Sequence, residues 1–281
     1  MADRVWFITG ASSGFGRSIA DAVLARGDRV FVTARRIDAL ADLADNDGAH
    51  VFSLDVTDAD RREEAVADAL ERFGRIDVLV NNAGRTQVGA VEETTEEELR
   101  SLFDLHFFAP AALTRAVLPH MRRQGGGAIV QMSSVGGQVT APGFSAYCAT
   151  KFALEGLTET LRDEVAQFGI HTLIVEPGEF RTGLFRSDAA YQSAEMGEYE
   201  DVVGPTREYL RTRHGAQPGD PAKAAEAIIT ALDADEPPLR LVLGADAIGN
   251  IEARLGRVRD ELEAWRELGE STALEAEPST S

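Results

Sequence analysis

A glycine-rich turn near the start of the chain constrains the fold more than any other stretch. It follows the short apolar run from Val5 to Ile8, which is typical of a strand buried on both faces. A G-x-x-x-G-x-G sequence comes next, and a helical pattern through Ile19 and Val23 follows it. Such glycines let backbone N–H groups approach a pyrophosphate, although a turn of this kind also occurs without a ligand. The predicted phosphate-binding residues are Gly10, Ser12, Ser13, Gly14, Phe15 and Gly16.

Six further apolar runs alternate with helical patterns along the chain. Strands that alternate with helices predict a parallel sheet whose two faces are covered by helices. We therefore predict an α/β fold with a doubly wound, seven-stranded parallel sheet and an added C-terminal helix. In such sheets, ligands bind at the carboxyl ends of the strands. The six further predicted strands are Arg29–Ala34, His50–Leu54, Ile76–Val80, Ala128–Met132, His171–Val175 and Leu239–Leu243.

The sequence predicts one large domain followed by a C-terminal extension. Residues 1–245 form the sheet domain, within which residues 183–217 have a looser pattern that is typical of a lid or a substrate wall. Residues 246–270 are predicted to be helical and residues 271–281 to be frayed. The extension carries one apolar stripe, which either packs on the chain's own body, the simpler arrangement, or joins subunits. The stripe consists of Ile251, Leu255, Val258, Leu262 and Trp265.

Composition and charge argue against several classes of partner. The net charge is −19, from 28 basic and 47 acidic residues, which disfavours nucleic acid and anionic membranes as partners. The sequence shows no signal peptide, no apolar run of about 18 residues that would cross a membrane, and no metal-binding cluster. The single cysteine, Cys148, cannot form an internal disulfide, so a reducing compartment is compatible. We expect a cytoplasmic protein without a nucleic-acid or membrane partner.

The end of the second predicted strand bears on the choice of cofactor. Dinucleotide folds that bind NAD usually carry an acid here, which accepts from the ribose 2′-hydroxyl. This chain has Ala34 at that place, followed by Arg35 and Arg36. Guanidinium groups suit a 2′-phosphate, which favours NADPH, and a pair of solvated surface arginines is the alternative. Asp38 is close enough in sequence to be a competing ribose ligand, which would favour NAD.

Two more predicted strand ends carry polar residues. Asp55 and Val56 follow the third strand, where the acid either accepts from an adenine amino group or caps the next helix. Asn82, Ala83 and Gly84 follow the fourth strand and fit either a structural turn or a loop that lines a cofactor. Because the carboxyl ends of parallel strands meet at one edge of the sheet, both groups are candidate cofactor contacts.

Three side chains near the middle of the chain predict acid–base chemistry. Tyr147 and Lys151 are four residues apart in a helical pattern, so they share one face of a helix. An ammonium beside a phenol favours the phenolate and lowers the phenol pKa from about 10. Ser134 follows the fifth strand, where it can hold a carbonyl oxygen while Tyr147 donates a proton to it. For the pair alone, the alternative is a half-buried aromatic beside a solvated lysine.

These motifs occur together and in order, and by them the chain resembles the short-chain dehydrogenases/reductases, which are single-domain Rossmann-fold oxidoreductases. The resemblance covers about residues 4–245. Within the family the chain is most similar to bacterial relatives of the estradiol-type hydroxysteroid dehydrogenases, which act on varied carbonyls. The matching segments are Thr9–Gly16, Asp55–Val56, Asn81–Gly84, Ser134, Tyr147 with Lys151, and Pro177–Gly178 with Thr182.

The resemblance implies a reversible hydride transfer between a nicotinamide and a carbonyl or alcohol carbon. Tyr147 would be the acid/base, Ser134 would orient the substrate oxygen, and Lys151 would lower the tyrosine pKa and hold the nicotinamide ribose. We expect an NADPH-dependent carbonyl reductase for a small or medium apolar substrate, assembled as a homodimer or homotetramer. The alternatives are an NAD-dependent alcohol dehydrogenase and a non-catalytic dinucleotide-binding sensor. The cofactor contacts expected in the loop after the sixth strand are Pro177, Gly178, Phe180 and Thr182.

One position departs from the family pattern. Relatives usually carry an asparagine in the helix before the serine strand, and this asparagine is thought to fix a helix kink and a water that feeds the lysine. The matching residue is His106, on the inward stripe of a helix predicted from Glu96 to Met121 with a kink at Pro110. Imidazole donates and accepts near neutral pH, so His106 either serves the same proton relay or only fills the space.

Overall fold

The seven predicted strands form one parallel sheet. The computed structural model describes residues 3–185 and 190–274. A second, two-stranded parallel sheet was not expected from the sequence. The strands are β1 (Val5–Ile8), β2 (Arg29–Ala34), β3 (Ala49–Ser53), β4 (Val78–Asn81), β5 (Gln87–Val88), β6 (Gly127–Met132), β7 (Ile170–Pro177), β8 (Tyr191–Gln192) and β9 (Arg240–Leu243). The large sheet has the order β3-β2-β1-β4-β6-β7-β9, which confirms the predicted fold class.

Helices cover both faces of the large sheet. The helices are α1 (Gly14–Ala25), α2 (Ala41–Ala44), α3 (Ala59–Phe73), α4 (Glu96–Phe103), α5 (Ala109–Gln124), α6 (Ser145–Val165), α7 (Glu200–Arg213), α8 (Pro221–Leu232), α9 (Ala245–Ala264) and α10 (Arg266–Glu270). α1 and α8 pack on the face that carries Trp6 and Ile8, whereas α3, α5 and α6 pack on the face that carries Phe7. Successive residues of β1 therefore enter two different cores, as the alternation of a strand requires.

The long helix expected from Glu96 to Met121 is interrupted earlier than predicted. A wide π-helical turn occupies Asp104–Phe108 and separates α4 from α5. Pro110 is not the site of the kink, because it lies in the first turn of α5, where its missing N–H leaves no helical hydrogen bond unmade. Single π turns inside helices often occur at functional sites, and this one carries the buried His106.

A buried ion pair fixes the segment predicted as a lid. Arg207 on α7 lies 2.7 Å from a carboxylate oxygen of Glu93, and the two side chains are only 9% and 1% exposed. Glu93 also accepts the backbone N–H groups of Ala90 and Met196, so its carboxylate has several donors. The lid boundaries, residues 183–217, stay a prediction, and residues 186–189 of that segment lie outside the described residues.

The C-terminal extension packs on the body only at its beginning. Ala247 and Ile251 of α9 are buried, whereas Leu255, Leu262 and Trp265 are 57%, 58% and 68% exposed. The expectation that the apolar stripe packs on the chain's own body is therefore wrong beyond the first turns of α9. The helix projects away from the surface that its beginning contacts. The predicted fraying of residues 271–281 concerns a segment of which residues 275–281 lie outside the described residues.

The described residues contain neither a membrane-spanning helix nor a metal-binding cluster. Among the helices within residues 3–185 and 190–274, none is long and apolar enough to cross a membrane. In the same part of the chain, no group of three His, Cys, Asp or Glu side chains is arranged to hold a metal ion. Cys148 is a free, buried thiol.

The buried ion pair leads to a stability prediction. We expect Arg207→Leu to lower the free energy of unfolding by about 3–5 kcal/mol, because it leaves the Glu93 carboxylate buried without its cation. The control Arg211→Leu removes an arginine of the same helix that pairs with Glu208 on the exposed surface, and should change stability by about 0.5 kcal/mol or less. Urea unfolding measures both, and equal effects of the two substitutions would contradict the assignment.

Candidate active site

The predicted site residues meet in one cleft at the carboxyl edge of the sheet. The cleft has a volume of about 770 Å³ and lies between the turn after β1, the loop after β4 and the loop after β7. In this sheet the strand order reverses beside β1, and such a reversal is where open α/β folds bind ligands. Every predicted catalytic or cofactor residue lines the cleft except Gly16, which lies directly behind the turn.

Two glycines of the first turn are required by close backbone packing. Gly10 has φ +65°, and a Cβ there would lie 2.8 Å from the Cα of Ala83. A Cβ at Gly16 would lie 2.4 Å from the side-chain amide of Asn82. The turn therefore brings bare backbone to the wall of the cleft, and α1 begins there at Gly14 with its N-terminus facing that wall. Exposed N–H groups and the helix dipole fit a pyrophosphate, as a nicotinamide dinucleotide requires.

Asn82 locks this turn to the end of β4. Its side-chain amide donates to the carbonyl oxygens of Thr9 at 2.8 Å and Gly10 at 3.0 Å. The Thr9 hydroxyl accepts the backbone N–H groups of Asn82 and Ala83 in return. The Asn82–Gly84 loop therefore acts as a structural turn, which is one of the two roles considered from the sequence. It also lines the cleft, as the other role, a cofactor contact, requires.

The basic end of β2 forms the outer rim of the cleft. Arg35 and Arg36 are both exposed, and both line the cleft. Asp38 lies on a short 3-10 helix from Ile37 to Leu40 and is not among the described residues that line the cleft. This arrangement disfavours Asp38 as a competing ribose ligand. The rim thus presents guanidinium groups where a dinucleotide fold places the 2′ position of the adenosine ribose.

Asp55 lines the cleft but its carboxylate is engaged locally. It accepts from the backbone N–H of Thr57 at 3.0 Å and from the Thr57 hydroxyl at 2.7 Å. Partial burial raises its pKa, but these hydrogen bonds and the charge of Arg35 outweigh burial, so the net pKa is lowered. The N-cap of α3 is Asp58, whose side chain accepts from the N–H of Arg61. Asp55 is therefore an ionised turn residue rather than the helix cap considered from the sequence, and it stays a candidate adenine contact.

Ser134, Tyr147 and Lys151 come together on one wall of the cleft. Ser134 follows β6, and its hydroxyl accepts from the N–H of Gly136 at 3.0 Å. A Cβ at Gly136 would lie 3.0 Å from the Tyr147 ring and 3.4 Å from the Ser134 hydroxyl oxygen, so this glycine leaves room for both. One turn along α6, the Lys151 ammonium donates to the carbonyl oxygen of Met132 at 2.8 Å.

Burial dominates the acid–base properties of this wall. It raises the pKa of Tyr147 to about 12, and the interaction with the Ser134 hydroxyl offsets only part of the rise. It also lowers the pKa of Lys151 to about 8, against the opposing effect of the Glu155 carboxylate. The Lys151 ammonium lies 5.8 Å from the ring centre of Tyr147 and donates to a backbone carbonyl. The expectation that Lys151 lowers the phenol pKa stays a prediction. At neutral pH the phenol is thus protonated and the lysine is charged.

His106 is fully engaged by neighbouring groups. Its Nδ1 lies 2.9 Å from the Thr150 hydroxyl, which itself donates to the Tyr147 carbonyl oxygen, so Nδ1 carries the proton. Its Nε2 accepts the backbone N–H of Arg85 at 3.2 Å. Burial and the nearby charges of Lys151 and Arg85 hold the pKa of His106 well below its usual range. A neutral ring with both nitrogens occupied does not support the proton relay considered from the sequence, and we propose a positioning role instead.

Sequence reasoning missed a buried carboxyl cluster under the catalytic wall. Glu155 follows Lys151 by four residues on the same face of α6 and accepts the Ser133 hydroxyl at 2.7 Å. Glu176 on β7 is fully buried and lies 3.1 Å from the guanidinium of Arg240, which also lies 3.4 Å from Glu155. Burial raises the pKa of Glu155 to about 7, and the neighbouring Glu176 carboxylate adds to the rise. The i, i+4 spacing after Lys151 was the sequence signal for this residue.

A third cation, Arg85, was also missed, although it directly follows the Asn82–Gly84 loop. Its guanidinium packs 5.0 Å from the ring centre of Tyr191 and donates to the Ser101 hydroxyl at 3.3 Å. Partial burial lowers its pKa, and the positive charge of Arg35 acts in the same direction. Arg85 therefore contributes to the same positive field as Arg35 while joining α4 to the β8 segment.

Comparisons with known proteins identify the family. The sequence model described as short chain dehydrogenase matches residues 4–192. The chain is 39% identical over 274 residues to "Oxidoreductase BOA17" of Botryotinia fuckeliana, with 96% of this chain and 99% of that protein covered. It therefore belongs to the short-chain dehydrogenase/reductase family, whose members are oxidoreductases that bind a nicotinamide dinucleotide.

Two further similarities extend this assignment. A short-chain dehydrogenase from Streptomyces avermitilis of known crystal structure shares 58% sequence identity with this chain. The two structures superpose with a TM-score of 0.92, and the match covers 97% of this chain and 100% of that chain. The "3-ketodihydrosphingosine reductase" of Bacteroides thetaiotaomicron is 35% identical over 250 residues, which cover 87% of this chain and 89% of that protein. The resemblance stated from the sequence motifs is thus confirmed.

The hydrogen bonds of His106 lead to a prediction. We expect His106→Ala to lower the free energy of unfolding by about 1–3 kcal/mol, because it leaves buried donors unsatisfied, and to lower kcat by displacing α6. The inflections of the pH–rate profile should stay at the same pH values, because the ring is neutral and takes no part in proton transfer. His106→Asn, which keeps a side-chain donor and acceptor, should recover part of both losses. A displaced inflection in either variant would restore the relay hypothesis.

The raised pKa of Glu155 leads to a prediction about stability and pH. A carboxyl whose folded pKa is about 7 holds a proton that the unfolded chain releases above about pH 4.5, so its stabilising contribution is lost as pH rises through about 7. The glutamine of Glu155→Gln does not titrate, so the variant should gain stability relative to the parent as pH rises. Between pH 4.5 and pH 8 the difference in unfolding free energy should move by about 1–3 kcal/mol in favour of the variant, at about 1.4 kcal/mol per pKa unit. Chemical unfolding at both pH values measures this.

Glu159→Gln is the matched control for that substitution. Glu159 also pairs with Arg240 but is exposed, so its substitution should shift stability equally at both pH values. A pH-independent effect of Glu155→Gln would show that folding does not raise the pKa of this carboxyl.

Proposed function

We propose that the protein is an NADPH-dependent reductase that converts the carbonyl group of a small or medium apolar substrate to an alcohol. The observation that carries the proposal is the placement of Ser134, Tyr147 and Lys151 on one wall of the cleft that the glycine turn and the arginine rim also line. An NAD-dependent alcohol dehydrogenase and a non-catalytic dinucleotide sensor are the alternatives that the experiments below separate.

The proton-transfer groups are suited to carbonyl reduction. A bound NADPH supplies the hydride that forms the new C–H bond. As that bond forms, the carbonyl oxygen gains negative charge, which the Ser134 hydroxyl stabilises and the Tyr147 phenol neutralises by donating its proton. A phenol with a pKa of about 12 is fully protonated at neutral pH and so is ready as the acid. The charged Lys151 beneath it stabilises the phenolate that remains.

The lining of the cleft supports an apolar substrate. Leu184, Phe185 and Tyr191, which all belong to the predicted lid, line the cleft. The similarity to a reductase whose name includes a keto group supports a ketone among the possible carbonyls. The reaction is reversible in principle, and the similarity to a protein named as a reductase supports the reductive direction.

Three arginines support NADPH as the cofactor. Arg35 and Arg36 form the rim after β2, and the charge of Arg85 acts on the same region. An acidic residue at the position of Ala34 would repel a 2′-phosphate and accept a hydrogen bond from a 2′-hydroxyl, and this chain has no acid there. Against a net charge of −19, a local cluster of positive charges gives an anionic cofactor a defined place to bind.

We also propose that two or four copies of the chain associate and that the protein works in the cytoplasm. Phe108 and Phe152 are 56% and 40% exposed, so each offers apolar surface to a second copy. The free thiol of Cys148 supports a reducing compartment.

The acid assignment gives the first functional prediction. We expect Tyr147→Phe to remove nearly all turnover and to bind NADPH as the parent does, because only the transferable proton is lost. Oxidation of NADPH followed by its absorbance with a panel of ketones and aldehydes measures turnover, and fluorescence titration measures cofactor binding. A Tyr147→Phe variant with most of its kcat would refute the assignment, and an inactive parent that binds NADPH would favour the sensor.

The arginine rim gives the second functional prediction. A charge-assisted contact contributes about 1.5–3 kcal/mol, so Arg35→Ala should weaken kcat/KM for NADPH about 10- to 150-fold and change that for NADH little. Added salt should narrow the preference of the parent for NADPH, because the contact is electrostatic and exposed. Arg72→Ala, on the exposed surface of α3, is the control and should leave the preference unchanged. Equal kcat/KM for NADPH and NADH in the parent would contradict the proposed cofactor.

A further inference from the structure

The last helix carries an apolar seam with the period of a coiled coil. Apolar residues recur along α9 at alternating intervals of three and four positions, and a repeat of 3.5 residues keeps such a seam facing a partner helix. The seam starts on the part of α9 that packs on the body and continues into the part that projects. Its members are Ile248, Ile251, Leu255, Val258, Leu262 and Trp265.

This seam has no cover on its projecting half within the described residues. Every residue from Arg259 to Glu270 is exposed, including Leu262 at 58% and Trp265 at 68%. At about 1.5 Å per residue, those 12 residues extend for about 18 Å. A short helix is marginal in water by itself, and in globular proteins most helical stability comes from packing an apolar face. A partner helix that packs on the apolar seam would therefore stabilise the projecting half.

The charges beside the seam are complementary to those of a second copy in the antiparallel direction. When Leu255 of one copy lies opposite Val258 of the other, the Arg254 of each copy faces Glu261 of the other. Glu252 then faces Arg259, and two-fold symmetry makes each contact twice. In a parallel pair, Arg254 would instead face Arg259, and this like-charge contact would offset the unlike contact of Glu261 with Arg266. Charge thus selects the antiparallel arrangement and a partner with this same sequence.

The same register fits the distribution of exposed and anchored residues. Trp265 of the projecting half reaches Ile248 in the anchored half of the other copy, and Leu262 lies beside the position of Ile251, which its own body already buries. Ile248 is 47% exposed beside the body, so it offers an apolar surface there. Each arm therefore covers the base of its neighbour, and the contact has the two-fold symmetry of most protein dimers.

We propose that α9 and α10 form an antiparallel, two-stranded helical contact with the same helices of a second copy of this chain. The interface would be centred near Leu255 and Val258, with the Arg254–Glu261 contact on its flank. Because the seam residues lie outside the cleft, this contact is independent of the reaction proposed above.

A charge exchange tests the proposal directly. Arg254→Glu and Glu261→Arg each place two like-charge contacts across the interface, and each should weaken self-association about tenfold or more. The double variant restores unlike charges and should associate within about threefold of the parent. Arg257→Glu changes the charge equally but lies outside the seam and its flanks, so it is the matched control. Sedimentation equilibrium of the full-length protein measures the association constants.

A seam substitution gives a second and independent measurement. Leu262→Asp should halve the mass of the parent assembly, whether that assembly is a dimer or a tetramer held by a further interface, and should keep its circular dichroism and NADPH oxidation. The proposal would be overturned if Leu262→Asp left the mass of the assembly unchanged, or if the double charge variant associated no more tightly than the single variants. A monomeric parent, whether free or recovered on lipid vesicles, would also overturn it.

Discussion

The structure depends on the contact between the first turn and the end of β4. The Asn82 amide binds two carbonyl groups of the turn, and the Thr9 hydroxyl binds two N–H groups of the loop. Glycine at position 16 is the condition for this contact, because a side chain there would meet the Asn82 amide. The contact joins the two halves of the sheet at the point where their strand order reverses. It thereby sets the distance between the phosphate-binding turn and the catalytic wall.

One face of α6 carries the chemistry from the cleft into the interior. Tyr147, Lys151 and Glu155 follow at intervals of four residues, so each lies one turn below the last. Burial acts on all three in the direction of the neutral form, raising the pKa of the phenol and the carboxyl and lowering that of the amine. The low local dielectric that perturbs these groups is also what strengthens their interaction with charge that develops in the cleft. His106 contacts this face through Thr150, which is the basis of the positioning role that we propose for it.

The start of the C-terminal helix is attached to the loop that follows β7. Asp246, in the first turn of α9, accepts the backbone N–H of Glu179 at 2.9 Å. A Cβ at Gly178 would lie 2.2 Å from the same carboxylate, so the loop after β7 follows the start of this helix closely. This contact holds the start of α9 against the loop expected to contact the nicotinamide. On the opposite side of the cleft, the buried pair of Glu93 and Arg207 gives α7 an equally firm attachment.

The sequence by itself determined the parallel sheet, the edge at which ligands bind and the residue types that meet there. Hydrophobic period and glycine spacing are local properties, and parallel strands necessarily bring their carboxyl ends to one edge. Only the tertiary structure decided the protonation of Tyr147 and Lys151, the two partners of His106 and the carboxyl cluster of Glu155, whose cation Arg240 is 85 residues away. It also decided which half of α9 is anchored. These properties follow from burial and from neighbours distant in sequence, and no local pattern encodes either.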